Sequence, residues 1–417
     1  MTYHILFSML VVITALASCI NHKFLKLPKT IGLTITSIII SIFIILMLKL
    51  YPNMFSPINT LLSGIDFRET VLNVMLGYLL FAGALHVNLI ELRKNFFPIV
   101  YLASLGVIAS TIITGLMVWW VTKIINYEIS LPFCLLFGAL ISPTDPIAVL
   151  AVFKQTKSIP NQIKMRITGE ALFNDAAGIL IFVLLTSIFI HHHGASFDNI
   201  IIHIFRETAG GIFTGWVLAV IASFVLKKID DPEVAILVTL AISSAGYLLA
   251  QNLEVSAPIA MVIAGLLIGT KMRYRAYKKR TINALDSFWR LIDEVLNAFL
   301  FVLIGLEMLT INFKPISILA GICAFVIIIL ARYISVAIPT LFKNIKLRKF
   351  YWRENVLMSW GGIRGGISIA LALSIPSENA HPIITLTYIV VIISILIQGT
   401  TLKALVNTLF PPLDGHH

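Results

Sequence analysis

The chain has 417 residues, 58% of them hydrophobic and 12% charged, with a formal net charge of +11 and a mean hydropathy of +0.95. A soluble globular domain carries about 25% charged residues, so this composition excludes one and points to a polytopic membrane protein with little aqueous mass. Cys19, Cys134 and Cys323 sit in apolar segments without CxxC spacing, which excludes a disulfide framework or a structural metal site. In such a chain the positive balance is first a question of which side of the membrane carries it, and no nucleic-acid partner is expected.

The first apolar run covers residues 4–21. Leu16-Ala17-Ser18-Cys19 resembles a lipoprotein cleavage site, but residues 2–18 hold no Lys or Arg. The positive n-region of a signal peptide is therefore missing, and the run is read as a span. Further runs predict spans at 30–48, 69–89, 96–122, 131–153, 167–190, 201–226, 232–251, 257–270, 286–309, 315–342, 354–376 and 382–405, thirteen in all. With the N-terminus outside, 24 Lys and Arg fall in the loops and tail of one side and 5 on the other, leaving Arg332 and Arg364 inside spans. The split alternates loop by loop, as positive-inside insertion requires for thirteen spans with a cytoplasmic C-terminus. The basic run at 271–280 reads as such an anchor, with anionic lipid within reach.

Thirteen spans fit six, one linker and six more in inverted orientation. Interrupted helices at matching positions of two halves are the sequence sign of that design. Span five carries Pro143 and Pro146, and span twelve, seven spans on, carries Gly361-Gly362-Ile363-Arg364-Gly365-Gly366. Proline removes backbone donors and glycine permits unwinding. Unwound backbone at membrane depth is tolerated only where it is buried in protein or lines a cavity. The predicted fold is therefore all-α and polytopic, with two broken helices crossing to make an ion site.

The charges lie at those places. Asp145 sits between the prolines, and Glu170 and Asp175 sit in span six. A charge at mid-span costs at least ~2.5–3.5 kcal/mol on insertion scales, so each needs a use. Asn174-Asp175 supplies an amide oxygen and a carboxylate, hard ligands for Na⁺, Li⁺ or K⁺. A carboxylate away from bulk water holds a proton or a cation, but not both, and that competition suffices for exchange; the structural alternative is an Asp capping a broken helix end. Thr144 offers a hydroxyl or carbonyl to the cation. Asp145 reads chiefly as counter-charge to the N-terminal end of the broken span-twelve helix, and a direct ligand role is the second reading. Glu170 lies four residues before Asn174, on the same face, and about 140° from Asp175. Its expected partner is Arg332 in span eleven, as a structural ion pair. Arg364 reads as compensating charge at the second break.

Other candidates carry less. Glu307 and Asp293-Glu294 are placed near the ends of span ten, where they either snorkel to the interface or form a cation-attracting cytoplasmic funnel. His86, at the end of span three, is either an interfacial His or a pH sensor. His191-His192-His193 falls in an outer loop with no acidic partner nearby, which weakens a metal reading.

These stretches resemble the monovalent cation/proton antiporters of the NhaP/NHE type. The matching segments are Gly138 to Pro146 (GALISPTDP), Gly169 to Asp175 (GEALFND), Phe301 to Leu306 (FVLIGL), Trp360 to Gly365 (WGGIRG) and Leu27 to Gly32 (LPKTIG). The resemblance implies an NhaA-like antiporter fold and a homodimer. Spans 1–3 (4–89) and 8–10 (232–309) would face the partner, span 7 (201–226) would link, and spans 4–6 (96–190) with 11–13 (315–405) would form the ion-transporting core. It implies elevator-like alternating access, with Asp175 bearing the ion or proton, and it agrees with the Glu170–Arg332 pairing. An Asn-Asp pair marks the electroneutral branch, and one carboxylate alternating between two monovalent loads gives the same stoichiometry. Ala82 stands where some relatives carry an acid, and Ala171 where some carry a hydroxyl.

The reading is a secondary antiporter exchanging Na⁺ or Li⁺ for H⁺ across a prokaryotic-type plasma membrane, needing no cofactor. A K⁺/H⁺ antiporter of the same mechanism is the alternative. A channel would need a filter-like repeat and an intramembrane enzyme a catalytic set; neither is present, so the chain is not expected to be an enzyme.

Overall fold

A computed structural model describes residues 2–51, 66–156, 159–190, 197–273, 277–309, 311, 313–341, 345–375 and 380–411. His191, His192 and His193, and the loop cations Lys157, Arg275 and Lys343, lie outside the described residues.

Helix occupies each of the thirteen predicted segments. In chain order the helices are α1 (Thr2–Ile20), α2 (Lys29–Leu50), α3 (Phe67–His86), α4 (Leu89–Lys94), α5 (Phe96–Ile124), α6 (Leu131–Ile141), α7 (Ile147–Gln155) and α8 (Asn161–Phe189). They continue as α9 (Phe197–Lys228), α10 (Pro232–Asn252), α11 (Ala257–Arg273), α12 (Lys279–Leu306), α13 (Pro315–Leu341), α14 (Ile345–Trp360), α15 (Gly366–Leu373) and α16 (His381–Leu409). Among the described residues, nine helices are long and apolar enough to cross a membrane by themselves. Spans five and twelve are each split, into α6 with α7 and α14 with α15.

Local sequence sets the ends. The side chains of Asp66, Asn88 and Asp231 accept from the first-turn amides of α3, α4 and α10, the cap these residues favour. Asn21 exchanges two hydrogen bonds with the backbone of Leu27 and so staples the turn from α1 to α2. Three helices begin six or more residues earlier than hydropathy places them: α8 at Asn161, α12 at Lys279 and α14 at Ile345. Asp293 and Glu294 consequently fall near the middle of α12, not near its end, while Glu307 stands in the turn that follows it.

The chain separates into two compact units. The first holds residues 1–71, 108–164 and 297–417. In it, the Phe301–Leu306 motif at the end of α12 is a packing joint. Ser37 and Ser41 of α2 donate to the carbonyls of Phe301 (3.4 Å) and Gly305 (2.8 Å), and Tyr388 of α16 donates to that of Ile304 (2.8 Å). The carbonyls of Ile304 and Gly305 lie in the last turn of α12, where helical partners run out, and the Tyr388 and Ser41 hydroxyls supply them. Gly305 is required, because a Cβ there would lie 1.9 Å from Ser37 Oγ.

The second unit holds residues 72–107 and 165–296. Its seam runs between α3 and α11, where added Cβ atoms on Gly265 and Gly269 would lie 2.6 Å from the Phe81 carbonyl and 2.1 Å from that of Leu85. Small residues four apart are how membrane helices bring backbones together. Trp289 fills the space beside this seam, its ring 4.7 Å from that of Phe81, with Nε1 donating to Thr239 Oγ1 at 3.0 Å.

Candidate transport site

The sequence-predicted residues fall in both units: Thr144, Asp145, Arg332 and Arg364 in the first, Glu170, Asn174 and Asp175 in the second.

In the first unit the two broken helices are laced together. Residues 142–146 and 361–365 are unwound. The Asp145 amide donates to the Ile363 carbonyl at 2.7 Å. Arg364 Nη1 donates to the carbonyls of Ser142 (2.6 Å) and Pro143 (3.0 Å), placing a guanidinium at the C-terminal, partially negative end of α6. The Asp145 carboxylate does the converse. Its Oδ1 accepts from the Ile147 amide at 2.9 Å and so caps α7. Its Oδ2 lies beside Gly365, the N-cap of α15, where a Cβ would come within 3.2 Å of it. The Asp145 carboxylate thus lies at two helix N-termini, those of α7 and α15, and the Arg364 guanidinium at one C-terminus, that of α6. Thr144 and Arg364 are buried, at 3% and 2% exposed, while Asp145 is half-buried.

Arg332 is buried beside the second break. Its Nε donates to the Met358 carbonyl at 3.3 Å, near the C-terminal end of α14. The stem crosses Gly362, where a Cβ would lie 2.2 Å from Nε. This glycine is therefore set by the arginine's passage as well as by unwinding.

In the second unit, α8 presents Glu170, Asn174 and Asp175. Asn174 is fully buried and Glu170 is 1% exposed. Asn174 Nδ2 donates to Glu170 Oε1 at 2.9 Å, the contact that four-residue spacing allows. Asp175 is half-buried on the adjoining face. Gly169 lets α8 approach α5, since a Cβ would meet Ile99 Cδ1 at 2.6 Å. The positions without oxygen, Ala82 and Ala171, are buried at 0% and 1%.

His86 is engaged rather than loose. Its Nδ1 lies 3.3 Å from Asp286 Oδ1, a carboxylate also held by Arg290 at 2.5 Å, and Arg273 donates to the carbonyls of Val87 and His86. Among the described residues, no group of three or more His, Cys, Asp or Glu could hold a metal ion. Two contributors escaped sequence reasoning, Ser394 and Gln398 of α16: Ser394 bonds the unwound 361–365 segment at the Arg364 amide, and Gln398 bonds the Trp360 carbonyl just before it. Their signal was present, as two polar residues four apart inside an apolar span.

Comparison with known proteins follows the same lines. The profile of the family described as "Sodium/hydrogen exchanger, transmembrane" matches residues 10–408. The chain belongs to the sodium/hydrogen exchanger family. Among curated relatives of this exchanger, the Na(+)/H(+) antiporter NhaP of Pseudomonas aeruginosa is 37% identical over 409 residues, covering 96% of this chain and 95% of that protein. The Na(+)/H(+) antiporter ApNhaP of Aphanothece halophytica is 32% identical over 364 residues, 84% of this chain and 67% of that one. Among solved structures, the sodium proton antiporter MjNhaP1 of Methanocaldococcus jannaschii superposes with a TM-score of 0.77 over 99% of this chain and 100% of that one, at 20% identity. The exchanger therefore has the NhaP-type fold, all-helical with two broken crossing helices.

Proposed function

We propose that this exchanger is a secondary antiporter moving Na⁺ against H⁺, with Asp175 as the carboxylate that bears one load or the other. The observation that carries the proposal is the Asn174–Asp175 pair on α8. A fully buried amide, its nitrogen committed to Glu170, stands next to a half-buried carboxylate in mid-helix. Similarity over nearly the whole of one protein named as a Na(+)/H(+) antiporter, and over two thirds of another, supports Na⁺ as the cation. Commitment of Nδ2 to Glu170 makes the oxygen the end of Asn174 that can meet a cation.

Transport then needs no bound cofactor and no covalent chemistry. A cation displaces the proton on Asp175, the loaded carrier changes its access, and a proton displaces the cation on the other side. One carboxylate exchanging one monovalent load for another moves no net charge, so the stoichiometry is one to one. The crossover contributes a fixed charge balance, Asp145 against the N-terminal ends and Arg364 against a C-terminal end. Thr144 is assigned a share in the cation's shell, which Thr144→Val tests by raising the half-saturating Na⁺ concentration. Li⁺ is assigned as a second substrate, with K⁺ the competing choice. The rest of the assignment is a plasma-membrane homodimer, N-terminus outside and C-terminus cytoplasmic. Residues 4–89 and 232–309 face the second copy, and the core of 96–190 and 315–405 moves as an elevator.

Proteoliposomes with an internal pH reporter test this directly. Addition of Na⁺ or Li⁺ is expected to move protons in the parent, with no dependence on an imposed membrane potential, and Asp175→Asn to show none of it. Full transport by Asp175→Asn would remove Asp175 from the mechanism. A response to K⁺ alone would keep the mechanism and change the ion. Strong dependence on potential would require a second titrating group.

A further inference from the structure

The unwound segment of the second broken helix carries backbone groups that no water can reach at membrane depth, and each must be satisfied by protein. One of them, and the last helical carbonyl before the segment, are met by one neighbouring helix. The Arg364 amide donates to Ser394 Oγ at 3.0 Å, and Gln398 Nε2 donates to the Trp360 carbonyl at 2.9 Å. The two side chains also bond each other, the Ser394 hydroxyl donating to Gln398 Oε1. Ser394 is fully buried and Gln398 is 2% exposed.

The chain of bonds has a single polarity. Because the Ser394 proton is committed to Gln398, its lone pairs face the Arg364 amide. Because the Gln398 oxygen is committed to Ser394, its nitrogen faces Trp360. Flipping the amide would set the Gln398 oxygen against the Trp360 carbonyl, two acceptors with no proton between them. The two residues bound a π turn, Ser394–Gln398, and such turns are rare and concentrate at functional sites.

We infer that Ser394 and Gln398 are positioning residues for exchange. Gln398 holds the last carbonyl of α14 and Ser394 holds the Arg364 amide, two residues before α15 begins at Gly366, so together they clamp the unwound segment between. Through that segment they set the Arg364 guanidinium against the Ser142 and Pro143 carbonyls and Gly365 beside the Asp145 carboxylate. Neither is assigned a contact with the transported ion. This role rests on reading the crossover as part of the transport centre.

The full-length chain, reconstituted in proteoliposomes, tests it with two readouts. Ser394→Ala and Gln398→Met are expected to lower the maximal exchange rate about tenfold and to leave the half-saturating Na⁺ concentration within about twofold of the parent. Ser394→Thr keeps the hydroxyl and is expected to restore most of the rate. Hydrogen exchange supplies a readout independent of transport: in Ser394→Ala the peptide containing the Arg364 amide is expected to take up deuterium about tenfold faster. Thr401→Ala is the control. It removes the 2.9 Å acceptor of Trp360 Nε1 without touching the unwound backbone, and both readouts should stay at parent values.

Parent rates in Ser394→Ala and Gln398→Met would overturn the inference. So would a lost rate with unchanged deuterium uptake, because the residues would then act elsewhere. If Ser394→Ala does not fold, Gln398→Met, which nearly preserves volume, carries both measurements, its peptide being the one spanning Trp360 to Arg364. Asp175→Asn is assayed beside them. Activity in that variant would sink the site assignment while leaving the deuterium result to stand or fall by itself.

Discussion

Gly362→Ala offers a sharp physical test of the second break. The added Cβ would lie 2.2 Å from Arg332 Nε, 2.6 Å from its Cδ and 3.0 Å from its Cζ. Favourable contact begins near about 3.5 Å, so the arginine stem must retreat by more than about 1 Å. A retreat of that size carries Nε, now 3.3 Å from the Met358 carbonyl, out of hydrogen-bond range. Overpacking costs about 1–3 kcal/mol, and a buried carbonyl stripped of its donor about 1–3 kcal/mol more, so the expected loss is about 2–6 kcal/mol. Thermal unfolding of detergent-purified protein measures it, in the parent and in an Arg332→Ala background, where most of the cost should vanish. Gly83→Ala is the comparison. There the nearest atom, Leu172 Cδ1, is 3.8 Å from the new Cβ, and replacing a helical glycine should stabilise by up to about 0.5–1 kcal/mol. A Gly362→Ala protein that melts with the parent, or that loses as much stability without Arg332 as with it, would refute the reasoning.

Other consequences follow from single contacts. Arg364→Gln takes the charged donor from the Ser142 and Pro143 carbonyls; at about 1–3 kcal/mol for each acceptor, the melting temperature should fall markedly and exchange should cease. Glu170→Ala removes the 2.9 Å acceptor of buried Asn174 Nδ2 and should cost about 1–3 kcal/mol, so a stable and fully active variant would deny Glu170 a structural role. Gly269→Ala would drive a Cβ to 2.1 Å from the Leu85 carbonyl, and expression as a monodisperse protein should drop sharply, whereas Thr270→Ala one position along, with its hydroxyl bonded within its own helix, should express as the parent. Tyr388→Phe loses the 2.8 Å bond to the Ile304 carbonyl, and unfolding should register about 1 kcal/mol.

Much of the architecture was legible because hydropathy over about twenty residues is a strong signal in lipid. Every apolar run became helix, and Pro143, Pro146 and the Gly361–Gly366 stretch broke two helices where the residues said they would. Helix starts were less legible. Asn161 and Lys279 begin helices whose first turns are polar, and hydropathy is blind to a helix that extends past the apolar zone. The charge balance of the crossover could be anticipated from Asp145 and Arg364, since broken helices offer bare ends to opposite charges. Its bracing could not. Ser394 and Gln398 lie far along the chain from the segment they hold, and only the register between α16 and the break selects their partners. Asn174's commitment to Glu170 was foreshadowed by four-residue spacing. The reason for Gly362 was not, because it lies in the path of Arg332.

The links between the two broken helices have a common chemical character. They run from the Asp145 amide to the Ile363 carbonyl and from the Arg364 guanidinium to the Ser142 and Pro143 carbonyls, with a hydroxyl and a carboxamide bracing the second break from α16. The Asp145 carboxylate, by contrast, bonds the Ile147 amide of its own strand of chain. Amides, hydroxyls and guanidinium groups keep their protons across the whole range in which carboxylates and imidazoles change theirs. The links that join one broken helix to the other therefore keep their protons in an acid interior and an alkaline one alike, and the group of the crossover that can change its charge is the Asp145 carboxylate at the start of α7.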